Sequence, residues 1–155
     1  MNIIFTPYSD SYFEEINNTL VPNAYLLKYS NQKIIYKILS FLKLYQNFFY
    51  VLLVDHFPVG TILIRRRLSN YSFKKNWWIY GVYIRESYRG KGLGEEITIK
   101  AIDWIRNNKA ESVLLYVDKH NTTAISLYVK LGFIEIKKSK IHKINKNQLL
   151  LKKVL

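Results

Sequence analysis

The chain has 155 residues, 49% of them hydrophobic, and a formal net charge of +13 from 24 Lys+Arg against 11 Asp+Glu. That length predicts one domain over 1–155 with a full core; the lack of cysteine excludes a disulfide framework and thiolate chemistry, and the scattered His56, His120 and His142 speak against a metal site. The longest apolar run, Phe48 to Val54, is far short of the ~20 residues a membrane span needs, and Asp10, Glu14 and Glu15 interrupt the N-terminus too early for a signal peptide, so a cytoplasmic protein is expected.

Ile3-Ile4-Phe5 reads as a short strand and Thr6-Pro7 as the opening of a helix, with Pro in its first turn and Phe13, Ile16 and Leu20 on its apolar stripe. Gln32 to Tyr45 predicts a second helix. Ile34, Ile35, Ile38, Phe41, Leu42 and Tyr45 share its wide apolar face, opposite Lys33, Lys37, Ser40 and Lys43. Packing on its own sheet is the ordinary use of such a face; a partner- or membrane-binding helix and a pocket wall are the alternatives. Phe48–Val54 and Val59–Arg67 read as a hairpin across a turn at Asp55-His56-Phe57-Pro58. Arg65 and Arg67 then fall on one face and Arg66 on the other. Such a run is usually a solvated strand end, less often an anion site.

After a polar loop from Leu68 to Asn76, the aromatic run Trp77–Ile84 predicts the central buried strand, with Gly81 marking a bulge or a close backbone approach. Arg89-Gly90-Lys91-Gly92-Leu93-Gly94 follows, and an amphipathic helix runs from Gly92 to about Asn107. Strand, glycine turn and helix together aim unpartnered amides and a positive dipole end at an anion. Glycine allows close backbone approach, and Arg89 and Lys91 add charge, so a phosphate-bearing ligand is expected. The spacing is neither a dinucleotide fingerprint nor a P-loop. Ser112–Val117 is a further strand. Thr122–Leu131 is a short helix with Asn121 at its N-cap and Gly132 past its end. Phe133–Ile136 and Leu149–Val154 complete the order β-α-α-β-β-β-α-β-α-β-β, an α/β mixture of about seven strands and four helices.

Arg89-x-x-Gly92-x-Gly94, followed by Asn121-x-x-Ala124-x-x-Leu127-Tyr128-x-x-x-Gly132-Phe133, resembles the two signatures of the GNAT family of N-acetyltransferases. The element order is similar along nearly the whole chain. The resemblance implies a mixed sheet splayed between strands 77–84 and 112–117. It implies acetyl-coenzyme A as cosubstrate and no metal. Its diphosphate would lie on the main chain of Arg89, Gly90, Lys91, Gly92, Leu93 and Gly94, with the Arg89 side chain shaping the loop. Its pantetheine arm would pair with Val82, Tyr83 and Ile84, a backbone N–H near Val82 would face the developing oxyanion, Asn121 would contact the arm, and Tyr128 would be the acid that protonates the leaving thiolate.

One departure is that Trp77–Ile84 contains no carboxylate to serve as general base. A relayed water, Glu86 or His120 would have to fill that role. The acceptor implied is a primary amine of a small molecule, a protein N-terminus or a lysine, with an acidic acceptor slightly favoured by the charge. A homodimer is an option; membrane and nucleic acid are not expected partners. The competing readings are a basic nucleic-acid-binding module, whose affinity would fall steeply with salt, and a member that binds acyl-CoA without catalysis.

Overall fold

The structure is a computed structural model, and it describes residues 2–12, 45–68, 75–136 and 146–155. Among these, seven strands form one sheet: β1 (Ile3–Pro7), β2 (Tyr45–Val54), β3 (Phe57–Leu68), β4 (Lys75–Ile84), β5 (Ser112–Asp118), β6 (Ile134–Glu135) and β7 (Gln148–Val154). Their spatial order is β1-β2-β3-β4-β5-β7-β6. Every pairing is antiparallel except β4 with β5. Two α-helices are described, α1 (Leu93–Asn107) and α2 (Thr122–Lys130). The expected helix over Gln32–Tyr45 and the stripe Phe13, Ile16 and Leu20 lie outside the described residues, Tyr45 excepted.

Several boundaries differ from the sequence reading. Thr6 and Pro7 extend β1, opposite Val51 and Tyr50, and do not open a helix there. Pro7 is the last strand residue, where a missing N–H costs no ladder bond; a 3₁₀ turn at Asp10–Tyr12 follows. Tyr45 belongs to β2, opposite Arg67. The β2–β3 turn is only Asp55-His56, both at positive φ, 49° and 68°. Two-residue hairpin loops want that geometry, and here it is held from outside. The Asn2 N–H donates to Asp55 Oδ1 at 2.8 Å, and the Asp55 N–H donates to Asn2 O at 2.9 Å. The strand expected at Phe133–Ile136 shortens to two residues.

Both helices feed one core on one face of the sheet. Leu93, Ile97, Ala101 and Ile105 recur every fourth residue of α1 and are buried, as an amphipathic stripe requires. Thr98, also buried, satisfies its hydroxyl by donating to Gly94 O at 2.7 Å. Trp104 is half-buried, its ring 4.6 Å from that of Phe48 and 5.6 Å from those of Tyr50 and Trp77. The opposite face carries two smaller clusters, one around Val51 and Leu53 and one around Trp78, Leu114 and Leu150.

Candidate active site

The centre of the site is β4, and its shape comes from one bulge. Thr61 faces Tyr83, yet Leu63 faces Tyr80, so Gly81 and Val82 together oppose Ile62. Gly81 takes φ 56°, a left-handed value that glycine accepts freely in such a bulge. The extra residue flips the alternation of the strand. Trp77 and Ile79 point to the helix-side core, and Trp78 and Tyr80 to the other face. Past the bulge it is Val82 and Ile84 that return to the helix side, while Tyr83 packs with Val51 and Leu53.

β4 and β5 pair only at Trp77↔Val113, Trp78↔Leu114 and Ile79↔Leu115. Beyond these the strands part, although β4 stays paired with β3 to Ile84 and β5 stays paired with β7 to Asp118. The splay expected between 77–84 and 112–117 is therefore present. The Arg85 N–H donates to Val59 O at 2.8 Å. Main-chain groups alternate sides along a strand, so those of Ile84 and Val82 turn away from β3, into the gap. The Arg89 Nε donates to Ile84 O at 3.1 Å, bracing the turn against the strand end.

A 3₁₀ turn at Glu86–Tyr88 leads into the glycines. Gly90 and Gly92 take φ 74° and 77°, and Gly92 is the N-cap of α1. Among the described residues, a Cβ added to either would meet no protein atom within 4 Å, so these residues leave the space over the turn open. Gly94 differs: its Cβ would sit 3.8 Å from Leu127 Cδ2 and 4.0 Å from Ile84 Cγ1, so its smallness serves close packing. Among the described residues, the amides of Gly90 through Gly94 meet no protein acceptor. The carboxylates of the first turn of α1 are drawn aside. Glu95 bonds Lys130 Nζ at 2.7 Å, and Glu96 pairs with Lys100 at 3.2 Å. Arg89 lies over the Tyr83 ring and Lys91 over the Tyr88 ring, at 5.6 and 4.9 Å. The mouth of the turn is left electropositive.

Across the core stands α2. Asn121 caps it, its Oδ1 accepting from the Ala124 N–H at 3.0 Å. Gly132, at φ 81°, closes it, and the Phe133 N–H returns to Tyr128 O at 2.9 Å. This holds Tyr128 against Phe133, ring centres 5.6 Å apart. Tyr128 is 7% exposed, and burial pushes its phenol up to about 12. It shares one core with Ile84, Leu93 and Val117. Glu86 and His120, the candidate bases off β4, are both exposed.

The arginine run is a correction. Arg65 is 7% exposed, not solvated. Arg65, Arg66 and Arg67 lie over the rings of Tyr80, Trp77 and Trp78 at 4.7, 5.3 and 4.4 Å. The β3–β4 register that brings arginine onto aromatic was hidden in sequence by the intervening polar loop. The one available signal was the Trp-Trp-x-Tyr run itself, which offers ring faces to any cation on the neighbouring strand. Among the described residues, no cluster of His, Asp and Glu could hold a metal ion, and no helix is long and apolar enough to cross a membrane.

Comparison with known proteins gives this geometry a family. Mycothiol acetyltransferase of Renibacterium salmoninarum is 46% identical over 55 residues, 36% of this chain and 16% of that protein. Curated relatives of this kind are much longer, and the match spans only 16–22% of their length. The PaiA N-acetyltransferase of Thermoplasma acidophilum, solved in complex with coenzyme A, superposes with a TM-score of 0.70 at 18% identity over 100% of both chains. A chain of the NatC complex, solved bound to Gag peptide and CoA, gives 0.72 at 19% identity over 100% of this chain and 99% of that one. At these identities the likeness is one of fold. The profile of the acetyltransferase (GNAT) family matches residues 11–133, most of the chain and all of the bulged strand, glycine turn and capped helix, and the protein belongs to that family.

Proposed function

We propose that this chain is a single-domain, acetyl-CoA-dependent N-acetyltransferase, acting on a primary amine of a small molecule, a protein N-terminus or a lysine. The observation that carries this reading is the run of amides from Gly90 to Gly94, without acceptors among the described residues, at the positive end of α1 and beside the edge of β4 that no described strand pairs past Ile79. Gly90, Lys91 and Gly92 are exposed, so their amides can exchange water for an anion, whereas an unpartnered amide at the edge of β4 beside buried Ile84 is costly. A diphosphate suits the first group, and an amide-bearing arm added as a strand suits Val82 and Ile84. The space that the described residues leave over Gly90 and Gly92 fits such a ligand. A cytoplasmic setting, where the thioester carrier is at hand, goes with this reading.

Acetyl-coenzyme A supplies an acetyl group on a thioester and a thiolate as leaving group. The protein's part is to position and to move protons. Holding both reactants together supplies much of the rate, since effective molarities can reach ~10⁵ M or more. The Val82 N–H would face the carbonyl oxygen as charge develops there. As the amine nitrogen bonds the carbonyl carbon and the carbon–sulfur bond breaks, Tyr128 would give its proton to the departing sulfur. A phenol at about 12 is protonated throughout the neutral range. A free thiol titrates at about 8.5, but the burial that raises the phenol also penalises a thiolate beside it, narrowing the gap. The amine's own proton would leave to water or to Glu86. Asn121 already serves as helix cap, and its NH₂ group is left to meet the arm.

The test is thermal stability with and without acetyl-CoA. At 100 times its Kd the ligand should add ~2.7 kcal/mol, a rise of roughly 5–10 °C for a chain of this size. No shift at millimolar acetyl-CoA would end the proposal.

A further inference from the structure

The gap between β4 and β5 has a second rim, on the face away from α1. Leu114 pairs with Trp78 in the short parallel stretch; Tyr80 and Tyr116 are the next residues outward on this face, just past the last pair. Two arginines of β3 lean toward them. Arg65 stands opposite Trp78 in the register, yet its guanidinium lies over Tyr80. Arg67 stands opposite Asn76, yet its guanidinium lies over Trp78. Each side chain thus reaches two residues along β4 toward the gap. Arg65 is fixed there, its Nε donating to Asn47 Oδ1 at 2.8 Å. Burial pushes the Tyr116 phenol on β5 up, the Arg67 charge beside its hydroxyl draws it partly down, and the Trp78 and Tyr116 rings lie 5.1 Å apart.

Arg67 is half-buried, and none of the ion pairs among the described residues involves it. A guanidinium has five N–H donors in a rigid fork, and the Tyr116 hydroxyl can take only part of them. Cation–π contact with an indole offsets some of the lost hydration but accepts no in-plane hydrogen bond. The group that completes such a site is a carboxylate, which takes two parallel N–H bonds. A nucleic-acid backbone suits it poorly, because the cations are recessed among rings and do not form an open positive surface.

We infer that Arg67, with Tyr116, Trp78 and Tyr80, binds a carboxylate carried by the acceptor, so that the preferred substrate is an amino-acid-like or acidic peptide amine. This rests on the acetyltransferase reading above. Arg67 and Tyr116 would hold the acid while the amine reaches through the gap to the thioester from the face opposite the glycine turn.

The experiment uses ω-amino acids of two to five methylenes, each beside its primary carboxamide, in a free-thiol release assay, with rates compared per unprotonated amine. At the best chain length the acid should exceed its amide in kcat/KM by about tenfold or more, the worth of one charge-assisted hydrogen-bond pair. Arg67→Gln should bring the ratio near one, mainly through KM, with the acetyl-CoA thermal shift unchanged. Tyr116→Phe should reduce the ratio severalfold. Equal rates for acids and amides at every length, or the wild-type ratio in both variants, overturns the inference and leaves the acetyltransferase reading standing. Loss of the acetyl-CoA shift in the wild type overturns that reading and the inference with it. If no amine of the panel turns over, calorimetric binding of the same pairs to the CoA-loaded protein decides. A tenfold acid preference lost in Arg67→Gln supports the inference, and no preference overturns it.

Discussion

Two regions flank the parting of β4 and β5, and they are built by different means. On the helix side, the stretch from Ile84 to Gly94 is assembled from neighbours in sequence: a strand end, a 3₁₀ turn, two left-handed glycines and the first turn of α1. On the far side, Arg65, Arg67, Trp78, Tyr80 and Tyr116 come from three strands, joined only by register and ring stacking. The first region presents main chain, which suits a ligand whose binding groups do not vary. The second presents side chains, which single substitutions can retune. On the proposed reading, a cosubstrate site of backbone beside an acceptor site of side chains would let acceptor preference drift without loss of the common chemistry.

The two regions should separate most clearly at Gly92. Gly92→Val should abolish the acetyl-CoA thermal shift, because Cβ bulk would fill space now open. The left-handed φ adds a strain of about 1–2 kcal/mol, so the apo protein should melt a few degrees lower yet still fold. A full shift in this variant would remove the turn from the site.

Tyr128→Phe probes the helix side, where Tyr128 shares a core with Ile84 and Leu93. It should keep the shift and slow turnover by about 10²–10⁴-fold, the usual range for losing a general acid. An unchanged kcat, measured by thiol release, would reduce Tyr128 to packing.

The same side chain makes a smaller prediction in stability. Its folded pKa lies above the unfolded value of about 10, so its contribution is intact below that pH and is lost as pH rises toward about 12. Over that window the wild type should lose up to roughly 3 kcal/mol relative to Tyr128→Phe, by the linkage of proton binding to folding. Denaturant melts of both proteins at several alkaline pH values would reveal it, and parallel curves would contradict the burial argument.

The smallest effect is expected at Asn121. Asn121→Ala removes a helix cap and should cost about 1 kcal/mol, or roughly 2–4 °C in Tm. A much larger fall in acetyl-CoA affinity than in stability would mean that the residue also touches the ligand.

How far each region could be read beforehand follows from how it is built. The glycine turn, α1, the cap at Asn121 and the closing Gly132 were legible because each is specified within a few residues. The bulge was legible as a Gly inside a strand, but not its consequence, that Val82 and not Gly81 would return to the helix side. The opening of a helix at Thr6-Pro7 failed because five residues of β1 found partners on β2, and tertiary pairing overrode a local start signal. The arginines read as a solvated end because nothing local places a ring beside them.

What the chain's order of residues determined alone was the set of local pieces and the sign of the charge around the glycine turn, since φ preferences, caps and helical periodicity act over a turn or two. What only the tertiary structure decided was which strands stop pairing after Ile79 and Leu115, and which cations come to rest on which rings. Those depend on register between segments distant in sequence, where a shift of one residue sends every side chain to the opposite face.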